Sequence, residues 1–122
     1  MQIKKLEANG TEIAVVSSSK VVIYDVQSAL DLMATVRYET GCDRIMMDKS
    51  LINESFFDLK TGLAGEIVQK FINYQTKVAI VGDFSGYASK SLRDFIYESN
   101  SGNDLFFMPS EQQAIEKLST VK

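Results

Sequence analysis

The chain of 122 residues contains no histidine and only one cysteine. Histidine is the commonest general base and the commonest metal ligand in proteins. Without it, and with Cys42 alone, a four-ligand structural zinc site within one chain is excluded, as are Ser-His-Asp and Cys-His catalytic centres. An internal disulfide is excluded as well. Any catalysis would have to use Asp, Glu, Lys, Tyr or Cys42, and we expect that thiol, which follows a helix end, to be inert.

Long apolar runs and excess positive charge are also missing. No run approaches the roughly 18 residues that span a bilayer, and the N-terminal stretch lacks the apolar core of a signal peptide. The net charge is −3, whereas nucleic-acid binders usually carry a basic face. We therefore expect one cytoplasmic domain covering residues 1–122, with no nucleic-acid partner and no stable membrane insertion.

The apolar periodicity predicts an α/β fold in a single domain, with an N-terminal β-hairpin followed by alternating strands and helices. Asn9-Gly10 is a strong hairpin signal. The expected sheet is mixed and four- to five-stranded, parallel in its later part. The predicted elements are a strand ending at Ala8, strands at Thr11–Val16 and Lys20–Tyr24, a helix from Asp25 to Gly41, a strand at Arg44–Asp48, a helix from Asn53 or Ser55 to about Asn73, a strand at Lys77–Val81, a helix from Ala88 or Ser89, a strand at Leu105–Met108 and a helix after Ser110.

Polar residues follow two neighbouring strands where these strands end. In open α/β sheets, ligands bind off the carboxyl ends of parallel strands. A carboxylate pair near a lysine suits cation binding or acid–base work. In the alternative interpretation, Asp48 and Asp83 only cap their own loops by accepting backbone N–H groups. The predicted ligand- or partner-binding residues are Asp48, Lys49, Ser50, Asp83, Ser85, Tyr87 and Lys90.

Three further features have two interpretations each. The loop from Gly82 to Gly86 could form an anion cradle at a helix N-terminus, but it lacks the P-loop pattern, and two glycines at this spacing more often form a plain turn. Gly62 and Gly65 are predicted inside the second helix, where close packing against the sheet or a neighbouring helix would explain them; the alternative is a partner or ligand that touches the backbone on that side. Each of the pairs Phe56-Phe57 and Phe106-Phe107 is expected to send one ring inward and one outward, to an apolar pocket or a dimer interface; the alternative is ordinary core.

Three blocks of the sequence resemble a family of small bacterial proteins known as the domain of unknown function family number 4180. The blocks are DVQSALDLMATVRYETGCDRI, FFDLKTGLAGEIVQKFINYQTKVAIVGDFSGY and SKSLRDFIYESNSGNDLFF. The resemblance extends over nearly the full length of the chain. This resemblance implies no particular activity.

The C-terminal half is also similar, more distantly, to SpoIIAA-like domains of the sulphate-transporter and anti-sigma-factor-antagonist (STAS) group, through VAIVGDF, FF and EQQAIEKL. This resemblance implies a mixed sheet with helices mainly on one face. It also implies binding, either partner switching or holding a small apolar or lipid-like molecule. Antagonists of this group carry a phosphorylatable serine where this chain reads FFDLKTGL, with only Thr61 offering a hydroxyl. The familiar phosphoswitch is therefore not expected, and nothing selects Ser50 or Ser55 as a substitute.

The sequence thus predicts a non-enzymatic binding or regulatory module with no cofactor and no metal. Its expected ligand is a protein partner or a small apolar molecule, and the latter requires a closed cavity lined by Phe and Met. A homodimer joined through an exposed helix or the N-terminal hairpin is expected. The alternative is a small enzyme that uses Asp48, Asp83 and Lys90 for acid–base chemistry or with an oxygen-liganded divalent cation.

Overall fold

The chain forms five strands and four helices in a computed structural model that describes residues 1–122. The first two strands form a hairpin, and the four helices alternate with the other three strands. The α/β class is confirmed. Three short 3₁₀ turns, at Lys49–Leu51, Glu54–Phe57 and Leu59–Thr61, separate the third strand from the second helix. The elements are β1 (Gln2–Ala8), β2 (Thr11–Ser17), α1 (Val26–Thr40), β3 (Arg44–Asp48), α2 (Leu63–Asn73), β4 (Lys77–Val81), α3 (Lys90–Ser101), β5 (Leu105–Met108) and α4 (Glu111–Thr120).

The sheet is mixed, and its strands lie in chain order from β1 to β5. β1 pairs antiparallel with β2, and every later pair is parallel. The hairpin turn places Asn9 and Gly10 at φ 53° and 77°, as a type I′ turn requires. Because consecutive parallel strands are neighbours, the loops that follow them leave the same edge of the sheet side by side.

The two faces of the sheet bury separate cores. Side chains alternate along each strand, so Val78 and Ile80 face the larger core under α1, α2 and α3, whereas Ala79 faces the smaller core under α4. Phe106 and Phe107 likewise point to opposite faces. All four rings of the two phenylalanine pairs are no more than 4% exposed. The prediction that one ring of each pair points outward is therefore wrong, and all four rings belong to the core.

The predicted strand at Lys20–Tyr24 is not a strand. Ile23 forms one isolated bridge with Ile52, and the N–H groups of Val22 and Ile23 both donate to the carbonyl of Leu51. This segment cannot pair with β2, because β2 already pairs with β1 on one side and with β3 on the other. Instead it crosses the carboxyl edge of the sheet.

The second helix begins at Leu63, about ten residues later than predicted. Asn53 and Asp58 each cap a 3₁₀ turn, with side chains that accept the N–H groups of Ser55 and Lys60. Gly62 then adopts φ 75° and lies outside the helix, so its predicted interior position is wrong.

Gly65 does lie in α2, but a Cβ atom there would meet no atom within 4 Å. The close-packing explanation is therefore wrong, and nothing in the structure explains this glycine. The other predicted helix ends are confirmed: Asp25 accepts the N–H of Ser28 at 2.7 Å, and Gly41 ends α1 at φ 73°. None of the helices has the length and apolar character needed to cross a lipid bilayer.

Candidate functional site

The carboxyl ends of β3 and β4 surround an open depression of about 660 Å³. Asp48, the last residue of β3, pairs in register with Val81, the last residue of β4. The two loops that follow therefore emerge next to each other and form the walls, and the segment that crosses the edge adds Val21. The lining residues are Val21, Asp48, Lys49, Ser50, Ile52, Asn53, Glu54, Gly82 and Asp83.

The two aspartates close their own loops. Asp48 Oδ2 accepts the N–H of Ser50 at 2.8 Å. Asp83 Oδ1 accepts both the hydroxyl of Ser85 at 2.6 Å and its N–H at 2.9 Å. These bonds from Ser85, with a smaller effect of the Lys49 charge, hold the pKa of Asp83 below its usual value. Both aspartates therefore cap their loops, while the second oxygen of each carboxylate accepts no hydrogen bond from the chain.

Lys49 holds its ammonium among aromatic rings. Its Nζ lies 4.6 Å from the ring centre of Tyr87 and 5.8 Å and 5.9 Å from those of Phe57 and Phe84. It also donates to the carbonyl of Asp83 at 3.5 Å. The phenol oxygen of Tyr87, followed by the charges of Glu54 and Asp83, raises the pKa of Lys49 against the opposing effect of desolvation. The group stays a protonated cation stabilised by cation–π attraction.

Tyr87 joins this cation to a carboxylate. Its hydroxyl donates to Glu54, whose two oxygens lie 3.1 Å and 3.2 Å away. Its ring stacks on the buried ring of Phe57, with centroids 5.3 Å apart and planes inclined by 20°. Burial is the main cause that raises the pKa of Tyr87, Glu54 adds to it, and Lys49 opposes it. The phenol therefore stays neutral and donates.

The absence of a side chain at Gly82 leaves room for the side chain of Lys49. A Cβ atom at Gly82 would lie 2.8 Å from Lys49 Cβ, well inside the distance at which carbon atoms touch. Gly82 is held in place because its N–H donates to the carbonyl of Met108 at 3.1 Å. Only a residue without a side chain leaves Lys49 this position.

The structure brings most of the predicted site residues together. Asp48, Lys49, Ser50 and Asp83 line the depression, and Ser85 and Tyr87 bond to Asp83 and Glu54. Lys90 does not line it; its ammonium pairs with Asp94 at 2.9 Å on the surface of α3. The lining residues that the predicted site omitted are Val21, Ile52, Asn53, Glu54 and Gly82. Of these, only Gly82 has a sequence signal, the stop of an apolar run at Gly82-Asp83.

This arrangement gives little support to the chemical alternatives. No group of three or more Asp, Glu or Cys side chains that could hold a metal ion occurs in the chain. Both aspartates are engaged in loop closure, and Lys90 lies outside the depression. The anion cradle also lacks support, because the carboxylate of Asp83 occupies the N–H of Ser85 and α3 begins only at Lys90.

An apolar ligand finds no matching cavity. Five surface depressions have volumes from about 190 to about 660 Å³, and the lining of each lacks phenylalanine, methionine or both. The phenylalanine rings instead pack on one another, as Phe84 does edge-on against Phe107 with centroids 5.2 Å apart. These depressions therefore give no support to a carrier of apolar ligands.

Comparison with known families gives one match. The model of the family described as "Domain of unknown function (DUF4180)" matches residues 8–118, which is most of the chain. No curated protein matches, and no solved structure matches.

Proposed function

We propose that the chain, which belongs to the domain of unknown function (DUF4180) family, is a non-enzymatic binding module that holds basic side chains of a protein partner. The binding site is the depression at the carboxyl ends of β3 and β4. One observation carries the proposal: this site already holds a cation, the Lys49 ammonium, over the ring of Tyr87, whose hydroxyl donates to the carboxylate of Glu54. The site has the chemistry of a receptor for ammonium and guanidinium groups.

The charge of the lining supports a basic ligand. Three carboxylates (Asp48, Glu54 and Asp83) face one ammonium (Lys49), so the lining carries a net charge of −2. The lowered pKa of Asp83 keeps that carboxylate ionised through the neutral range. Asp48 and Asp83 each keep one oxygen that accepts no bond from the chain. Lys and Arg side chains supply donors and no acceptors, and so they match this surface.

The shape and polarity of the depression support a protein segment over a small apolar ligand. The depression is open, and only Val21 and Ile52 among its lining residues are apolar. An extended segment can cross such a surface while its basic side chains reach the carboxylates. A binding role also agrees with what the resemblance to STAS domains implies. Because exposed charge pairs are individually weak, we expect a preference of about tenfold for a basic over a neutral peptide.

Nuclear magnetic resonance of ¹⁵N-labelled protein tests the proposal with two synthetic peptides, acetyl-AKARA-amide and the neutral acetyl-AQAQA-amide. We expect the basic peptide alone to shift the amide signals of Ser50, Glu54 and Ser85. Asp83→Asn keeps an oxygen that can accept from Ser85 but removes the charge, so this variant should bind the basic peptide more weakly. Asp94→Asn, which removes a carboxylate that pairs with Lys90 elsewhere, is the matched control and should bind as the wild type does.

The proposal fails if the two peptides shift the same amides equally. It also fails if Asp94→Asn weakens binding of the basic peptide as much as Asp83→Asn, because the effect would then follow the total charge of the protein and not the depression.

A further inference from the structure

Helix α1 presents an unpartnered stripe of side chains to solvent. Its opposite face is buried against the sheet by Ala29, Leu32 and Val36. We call the outward residues the α1 stripe: Gln27, Leu30, Asp31, Ala34, Arg37 and Tyr38. Together with Met33 and Tyr74 they line an open groove of about 560 Å³.

The groove exposes large rings. Tyr38 is 92% exposed and Tyr74 is 52% exposed, although each carries a ring that would gain from burial. Neighbouring exposed apolar groups on a soluble domain mark an interaction surface. The groove shares no residue with the depression at the carboxyl edge of the sheet, so it is a separate surface.

Two opposite charges in the α1 stripe have no partner of opposite sign. The chain contains two ion pairs, Lys5–Glu12 and Lys90–Asp94, and neither involves Asp31 or Arg37. Arg37 is nevertheless fixed in position, because its guanidinium donates to the carbonyl of Tyr74 at 3.0 Å and to Thr76 Oγ1 at 3.3 Å.

Asp31 is held as well, since Gln27 donates to its carboxylate at 2.9 Å. A positioned cation and a positioned anion on one helix face therefore both lack a counter-charge. A surface that carries both signs at fixed places can be complementary to itself.

We propose that the α1 stripe binds the α1 stripe of a second copy of this chain, antiparallel and about a two-fold axis at Ala34. In such a pair, positions equally far from Ala34 face each other. Asp31 precedes Ala34 by as many residues as Arg37 follows it, so each Asp31 meets the Arg37 of the other copy. Leu30 and Tyr38 also lie equally far from Ala34 along the chain, so each Leu30 meets the Tyr38 of the other copy. Every contact occurs twice, as in any two-fold interface, and the small side chain of Ala34 lets the helix axes approach closely.

The hairpin edge of the sheet is less suited to self-pairing. Strand β1 ends the sheet and carries Lys4 and Lys5, both exposed, and lysines on an edge strand oppose strand addition. The groove of α1 offers rings and matched charges instead. A helix stripe of this length covers about half of the roughly 800 Å² per partner of a standard interface, so we expect a weak, concentration-dependent dimer.

Sedimentation equilibrium of the full chain from about 10 μM to about 1 mM tests the pairing. We expect the average mass of the wild type to rise from one chain towards two over this range. Asp31→Arg and Arg37→Glu each create two like-charge contacts across the axis, so each variant alone should self-associate at least about tenfold more weakly. Mixing these two variants restores both opposite-charge contacts, and the mixture should associate again.

Two tyrosine variants check the surface without touching the core. Tyr38→Ala should weaken the dimer, whereas Tyr97→Ala on α3, where the ring is 75% exposed, is the matched control and should leave it unchanged. Circular dichroism verifies that every variant is folded. A wild type that stays monomeric throughout the range, a mixture that associates no better than its components, or a dimer weakened by Tyr97→Ala and not by Tyr38→Ala would overturn the proposal.

Discussion

Substituting Gly82 by alanine is the most informative single change in this protein, because one added methyl group acts directly on the binding site. The new Cβ would lie 2.8 Å from Lys49 Cβ, whereas carbon atoms rest about 3.5–4.0 Å apart. Neither atom can retreat easily. Gly82 is bonded through its N–H to Met108, and Lys49 follows directly on Asp48, which is paired with Val81 in the sheet.

The expected loss of stability follows from two opposing effects. Overpacking of this kind costs about 1–3 kcal/mol. Replacing glycine by alanine also stabilises the folded state by about 0.4–1 kcal/mol, because it lowers the conformational entropy of the unfolded chain. We therefore expect Gly82→Ala to lower the free energy of unfolding by about 1–2 kcal/mol, which for a domain of this size lowers the melting temperature by about 3–10 °C.

Gly65→Ala is the matched control, because a Cβ there meets no atom within 4 Å and the site lies in a helix. This variant should gain up to about 1 kcal/mol, so the two glycine substitutions should move the melting temperature in opposite directions.

Thermal unfolding followed by circular dichroism measures both variants. Carbon-detected resonances of the Lys49 side chain give an independent check, since ring-current shifts from Tyr87 should be present in the wild type and in Gly65→Ala and lost in Gly82→Ala. The reasoning is refuted if Gly82→Ala melts at the temperature of the wild type and its Lys49 side chain keeps the same shifts.

Two further predictions concern the charges of the site. Lys49→Gln removes the cation that already lies in the site. A like charge about 6 Å from a bound ammonium costs about 0.7 kcal/mol in water, so we expect this variant to bind acetyl-AKARA-amide about threefold more tightly in calorimetry. Weaker binding would show that Lys49 does not oppose a basic ligand. In an absorbance titration at 295 nm, Tyr87 should ionise above pH 10.0, because its pKa is raised from the ordinary value of 10.0, and this high-pH change should be missing in Tyr87→Phe. Because the pKa of Tyr87 is raised in the folded protein, this group contributes its full stability below pH 10.0, and that stability is lost as the pH rises through the folded pKa. The free energy of unfolding measured in urea should therefore fall above pH 10.0, and the fall should be smaller in Tyr87→Phe. A change in absorbance at high pH that persists in Tyr87→Phe would belong to another tyrosine.

The sequence predicts the regular elements where local chemistry decides them. Asp25 and Gly41 bound α1, and Asn9-Gly10 turns the hairpin, because capping and left-handed turn residues act within a few positions of the chain. The segment Lys20–Tyr24 has the β-branched composition of a strand, but its conformation is set by the carbonyl of Leu51, a contact far along the chain.

The site was predictable only in part, for the same reason. Asp48, Lys49 and Asp83 follow directly from the rule that loops at the carboxyl ends of parallel strands share one edge. Glu54 reaches the site because a series of 3₁₀ turns replaces the expected start of the second helix, and its bond to Tyr87 spans two loops. The place of Phe57 beneath Tyr87 likewise depends on tertiary packing and not on local pattern.

We infer that the depression at the carboxyl ends of β3 and β4 selects cations. The most direct measurement is a pair of NMR titrations of the wild-type protein, with acetyl-AKARA-amide and with the acidic acetyl-AEAEA-amide, at low and at moderate salt. We expect the basic peptide to bind more tightly, to shift the amides of Ser50, Glu54 and Ser85, and to lose affinity as salt screens the carboxylates. Tighter binding of the acidic peptide at the same amides would show that Lys49 is the ligand-binding charge and that the depression does not select cations.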